Sequence, residues 1–130
     1  MIETPYRLEY YLDDNDKAPF LGWLYSLRDK VAVYRIRARL DRVELGNFGT
    51  AKPVGEGVSE LKIDHGPGYR VYYALNGKSV VLLLIGGDKS TQHKDIETAK
   101  AYWKRQKEEL QKIYEMPFIY LHSIAASPPI

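Results

Sequence analysis

Lys62, Arg70 and Lys89 are side chains whose type and placement suit work on a phosphate. Period-two alternation along residues 69–75 puts Arg70 and Tyr72 on one face of a strand and Tyr69, Val71 and Tyr73 on the other. In the run before it, Leu61 and Ile63 oppose Glu60, Lys62 and Asp64. With the apolar set turned to the helices, Lys62, Arg70 and Tyr72 converge on an open sheet face, and Lys89 joins them from the rim. Three cations around an aromatic surface suit a phosphate backbone with a base stacked beside it. Taken singly, each is an ordinary partner for a surface ion pair; their convergence is what points to a phosphate.

The stretch GGDKST places glycines ahead of a helix start, where Lys89 and Ser90 can hold a phosphate. It lacks the GxxxxGK[ST] spacing, which argues against nucleotide hydrolysis, and a plain capped loop is the competing reading. His65 and His93 are the groups here whose ordinary pKa lies near neutrality, so either can exchange a proton with a substrate hydroxyl. Each also reads as an exposed histidine without a task. Asp88 and Asp95 read as acids at a helix start. No Ser-His-Asp set and no paired carboxylates emerge.

These residues need elements to position them. Residues 5–12 read as a strand, and the acidic turn Asp13–Asp16 as a cap for a helix carrying Phe20, Trp23, Leu24 and Leu27. Val33, Ile36, Leu40 and Val43 form one stripe of a second helix, with Arg35, Arg37, Arg39 and Arg42 on its other faces and Gly46 as its terminator. The two helices form a hairpin joined near residues 28–30. Residues 46–57, with four glycines and a proline, read as a loop. Strands follow at 58–63, 69–75 and 79–85, the last two joined at Asn76-Gly77, a strong hairpin signal. The run VVLLLI reads as a central strand covered on both faces. Ser90 or Thr91 starts a long helix to about Tyr114, with Ile96, Ala99, Trp103, Leu110 and Ile113 as its stripe. The expected class is α+β, in the order β-α-α-β-β-β-α, with a mainly antiparallel sheet packed against helices.

Composition bounds the rest. The 130 residues suit a single domain over 1–130, and the absence of cysteine excludes thiol catalysis, disulfides and cysteine zinc sites. The three histidines lie too far apart for a metal motif, so no metal or cofactor is expected. The 45% apolar and 28% charged fractions describe a soluble domain, with no membrane span and no leader, hence an expected cytoplasmic location. The net charge of +2 is small but unevenly spread. Residues 28–42 hold six Arg/Lys against two Asp, and 89–112 seven against four Asp/Glu. Residues 115–130 read as an apolar tail extension: 116–130 carry no charged side chain, and the segment docks on the body or covers a partner.

The pieces LGNFG, KPVGEGVSELKI, GPGYRVYY and LLLIGGDKSTQ-x-x-DI-x-x-A resemble the RelE/ParE toxin superfamily, and within it the HigB-like addiction-module killer branch, related to a phage-derived family. The resemblance runs through about half of the chain, and the expected order of elements agrees with it. It implies the toxin of a type II toxin–antitoxin pair, an endoribonuclease that enters the ribosomal A site and cuts mRNA without a metal. There the 2′-hydroxyl attacks the adjacent phosphate, leaving a 2′,3′-cyclic phosphate and a 5′-hydroxyl. Implied partners are a helix-turn-helix antitoxin, the ribosome with its mRNA, and operator DNA through the antitoxin.

By the same resemblance Arg70 matches the phosphate-binding arginine and Lys62 a strand lysine, while Lys89 stands where RelE has a second arginine. Glu60 replaces a lysine, and Gln92, His93 and Asp95 replace the usual tyrosine. His65 or His93 then stands in for the proton-transfer group, and Arg37, Tyr72, Ser90 and Gln92 are candidates for RNA contact. A ParE-like DNA gyrase inhibitor, or a toxin fold without toxicity that acts through its antitoxin, is the alternative.

Overall fold

The computed structural model describes residues 4–115. Its elements are β1 (Arg7–Tyr10), α1 (Pro19–Ser26), α2 (Lys30–Glu44), β2 (Ala51–Gly55), β3 (Val58–Ile63), β4 (Tyr69–Asn76), β5 (Val80–Asp88) and α3 (Gln92–Tyr114), with a 3-10 turn, Lys89–Thr91, ahead of α3. The sheet runs β1-β5-β4-β3-β2, antiparallel except where β1 pairs with β5 in parallel. This is the expected α+β class, consistent with a RelE-like fold, with one more strand than expected.

That strand is β2, inside the stretch read as a loop. It is the edge strand beside β3, a position where Pro53 is tolerated because no neighbour needs its missing N–H. Glu56 and Gly57 turn it into β3 with positive φ at both residues (54° and 82°), as a two-residue hairpin turn demands. At β4–β5 the Asn76-Gly77 turn does what its sequence announces.

α2 buries Ile36, Leu40 and Val43 of its expected stripe, but Ala32 is its fully buried first position while Val33 is only partly buried, and Gly46, at φ 90°, ends the helix. α1 starts differently from the expectation. Asp13 spends its carboxylate on the backbone N–H groups of Asn15 and Lys17 (2.8 and 3.0 Å), so the acidic turn folds on itself. Ala18 occupies the cap position instead, with no side-chain cap and Pro19 in the first turn.

The sheet is covered on both faces. Phe20, Leu24 and the α2 stripe pack on Leu61, Ile63, Val71, Tyr73, Val81 and Leu83. On the other face Ala99 and Trp103 of α3 pack on Val58, Tyr72, Ala74, Leu82 and Leu84. The open face expected at Tyr72 therefore lies under α3, and Tyr72 is fully buried, 0% exposed. β5 is buried on both sides, as its unbroken apolar run requires. Farther along α3 the expected stripe ends exposed at Ile113. The tail extension beyond Glu115 lies outside the described residues. Among the described residues no helix is long and apolar enough to cross a membrane.

Candidate functional site

Arg70 sits one residue into β4, on the α3 face, and is only 6% exposed. Its Nη1 donates to the carbonyl of Gly68 (2.7 Å), which turns the guanidinium back toward the β3–β4 turn. Glu60, 3% exposed on β3, supplies the counter-charge, with Oε1 3.7 Å from Arg70 Nε. That distance exceeds a hydrogen bond, and Arg70 Nε is buried without a hydrogen-bond partner among the described residues. Gln92 Nε2 donates to the other oxygen of Glu60 (3.0 Å) and so ties the first turn of α3 to the pair. Glu60 also helps burial push the Tyr72 hydroxyl far above its ordinary pKa, so that group stays a neutral phenol.

The glycine–proline turn between β3 and β4 bends beside Arg70 and carries His65. A carboxylate accepts only, so the 2.8 Å contact between His65 Nε2 and Asp29 Oδ2 makes Nε2 the protonated nitrogen. His65 Nδ1 then has no partner among the described residues. Asp29 is also the cap of α2, its Oδ1 accepting from the N–H groups of Val31 and Ala32. The hydrogen bond from His65, followed by those N–H groups, holds its carboxyl below the usual range. One side chain thus fixes both the start of α2 and the orientation of His65.

Lys62, His65, Arg70 and Lys89 line one open cavity of about 450 Å³, together with Asp64 and the glycines of the turn. Lys62 is partly neutralised by Asp64 at 3.4 Å; Lys89 is exposed at the opposite rim, directly after β5. The sequence therefore named four residues that the fold brings together. It did not find Asp29, whose helix-cap role is readable but whose partner lies 36 residues away. Nor did it find Glu60 as the counter-ion of Arg70.

The other expected residues lie elsewhere. His93 is exposed on the first turn of α3 and is not among the residues lining the cavity. Arg37 is on a different face of α2, donating to the Tyr25 hydroxyl (3.2 Å). Tyr72 is buried, Gln92 is engaged by Glu60, and Ser90 donates through its hydroxyl to Asp88 Oδ1 (2.5 Å). Those Ser90 bonds hold the Asp88 carboxyl below its ordinary range. Gly86 and Gly87 belong to β5 and serve packing: a Cβ at Gly86 would run into the Trp23 ring, and one at Gly87 into the Asp95 carboxylate. Among the described residues no group of three or more His, Asp or Glu is arranged to hold a metal ion.

Residues 22–115 match the family described as Phage derived protein Gp49-like (DUF891). The chain belongs to this family. The Gp49-like proteins are a RelE/addiction-module toxin-like family, which marks the protein as toxin-like and implies an antitoxin partner. This Gp49-like chain is also 51% identical, over 81 residues, to an uncharacterized protein of Haemophilus influenzae (strain Rd). The match covers 62% of the chain and 82% of that relative. Lys62, Arg70, Lys89 and the His65–Asp29 pair all fall inside the stretch that is Gp49-like.

Proposed function

We propose that this protein is the toxin of a type II toxin–antitoxin pair, of the HigB-like branch, and that it stops translation by cutting mRNA on the ribosome. The observation that carries this reading is Arg70. A guanidinium has five N–H donors; here it is sunk in the sheet with one hydrogen bond made, at the wall of a cavity shared with Lys62, His65 and Lys89. A buried cation with donors to spare is costly in an idle protein and useful where negative charge develops.

In the proposed reaction the 2′-hydroxyl oxygen attacks the adjacent phosphorus and the bond to the 5′ oxygen breaks. The products are a 2′,3′-cyclic phosphate and a 5′-hydroxyl. Arg70 and Lys62 take the extra charge on the phosphoryl oxygens, Arg70 with more effect because it is less screened by water. His65, held by Asp29 through Nε2, accepts the 2′-hydroxyl proton at Nδ1. Lys89 at the rim gives a proton to the leaving 5′ oxygen. The expected partners are a helix-turn-helix antitoxin, the ribosome with mRNA, and operator DNA reached through the antitoxin, all in the cytoplasm.

Induced expression followed by primer extension on cellular mRNA tests this. Cuts inside translated codons that vanish in Arg70→Ala support it. Intact mRNA together with inhibited supercoiling would replace it with a gyrase inhibitor.

A further inference from the structure

The arginines of α2 do not form one basic belt; the fold sorts them. Arg37 lies beside Tyr25, while Arg35, Arg39 and Arg42, spaced i, i+4 and i+7, share one side of the helix. That side forms the wall of a second depression, of about 560 Å³, with Val31, Tyr34 and Lys62 also in its lining. Lys62 and Asp64 line this depression and the Arg70 cavity alike, so the two adjoin.

The charge along this groove is one-sided. Arg35, Arg39, Arg42 and Lys62 face a single carboxylate, Asp64, which already pairs with Lys62. None of the three arginines has a carboxylate partner among the described residues. Arg39 is half-buried, with Nη2 3.4 Å from the Thr50 carbonyl, and burial followed by the neighbouring Arg42 pulls its pKa down. Uncompensated like charges gathered on one wall favour a polyanion. The rise of an α-helix sets Arg35 and Arg42 roughly 10 Å apart along the axis. Tyr34, 73% exposed at the same groove, offers a ring on which a base can stack.

We infer that the groove along α2 is the track for single-stranded RNA on one side of the bond being cut. Phosphates lie along Arg35, Arg39 and Arg42 and lead past Lys62 to Arg70. The inference rests on the proposed function, naming how its substrate lies. A protein segment docked by apolar burial would need a wide apolar trench; this groove offers cations, with Tyr34 and Val31 as its exposed apolar side chains.

A short single-stranded RNA with every 2′-oxygen methylated cannot be cut, so its binding reads the groove apart from the chemistry. Its affinity for the full-length protein is measured by fluorescence anisotropy across a salt series. For single strands each neutralised phosphate contributes about 0.7 to the slope of log affinity against log salt. The exposed pair Arg35→Gln/Arg42→Gln should flatten the slope by about 1.4, leaving affinity about sevenfold less sensitive to salt between 50 and 200 mM. Arg37→Gln, an equal loss of charge per residue on the other face, should leave the slope unchanged. The inference is overturned by no salt-dependent binding in the wild-type protein, by an unchanged slope in the double variant, or by an equal drop per charge in Arg37→Gln. If the double variant keeps the RNA slope but escapes neutralisation by the antitoxin, the groove belongs to a protein and the RNA track is wrong. Failure of the cleavage reading appears separately, as uncut mRNA on expression of the wild-type protein.

Discussion

The two faces of the sheet are built on different terms. Against α1 and α2, Leu61, Ile63, Val71 and Leu83 meet Phe20, Leu24, Ile36 and Leu40, an apolar layer that stabilises through area removed from water. Against α3 the same strands bury Glu60, Arg70 and Tyr72. Their polar atoms are incompletely matched: among the described residues the Tyr72 hydroxyl and Arg70 Nε have no hydrogen-bond partner. One face makes the fold stable; the other spends part of that stability to hold a cation where water cannot screen it.

Substitutions can break that contrast. The largest effect belongs to the ion pair. Glu60→Leu strands a buried arginine and should cost about 3–5 kcal/mol in urea unfolding. The double variant Arg70→Met/Glu60→Leu removes both charges and should be as stable as the natural protein or more so, yet inactive. A double variant as unstable as the single one would mean that the pair is structural. On the apolar face Leu83→Ala should cost about 2–5 kcal/mol while leaving cleavage per folded molecule unaltered.

Smaller effects sharpen the division. His65→Ala should slow cleavage on the order of 10²–10⁴-fold with little change in melting temperature. Asp29→Asn keeps a residue that caps helices well but removes the carboxylate that His65 faces. It should slow cleavage less than His65→Ala. It should also alter the response to acid. Because the folded state holds Asp29 below its ordinary pKa of about 3.9, its contribution is fully present above that value and is lost as pH falls through the folded one. Thermal unfolding between pH 7 and 3 should therefore show a steeper acid decline in the natural protein than in Asp29→Asn. Last, Arg37→Gln, on an exposed position away from the cavity, should change stability by less than about 0.5 kcal/mol.

Much of this is legible in the sequence alone. The α2 stripe, the Asn76-Gly77 hairpin and the apolar run of β5 each carry a period or turn tied to one structure. β2 was hidden because its glycines and Pro53 speak for a loop, and its strand geometry comes from pairing with β3. Alternation sorted Arg70 from Val71 correctly, but it cannot say whether a helix lies over a face, so Tyr72 was placed in the open. Lys62, His65 and Arg70 were readable as neighbours because one hairpin carries them. The Asp29–His65 contact depends on how a helix hairpin docks against a sheet turn, which no local pattern encodes.

The parallel pairing of β1 with β5 sets the order in which this molecule can be made. Arg7 lies opposite Val80, so during synthesis β1 has no sheet neighbour until β5, the last of the described strands, is made. β5 then fills the gap between β1 and β4 and brings Lys89 to the rim in the same step. The fold, and with it the cavity, cannot close until β5 has been made.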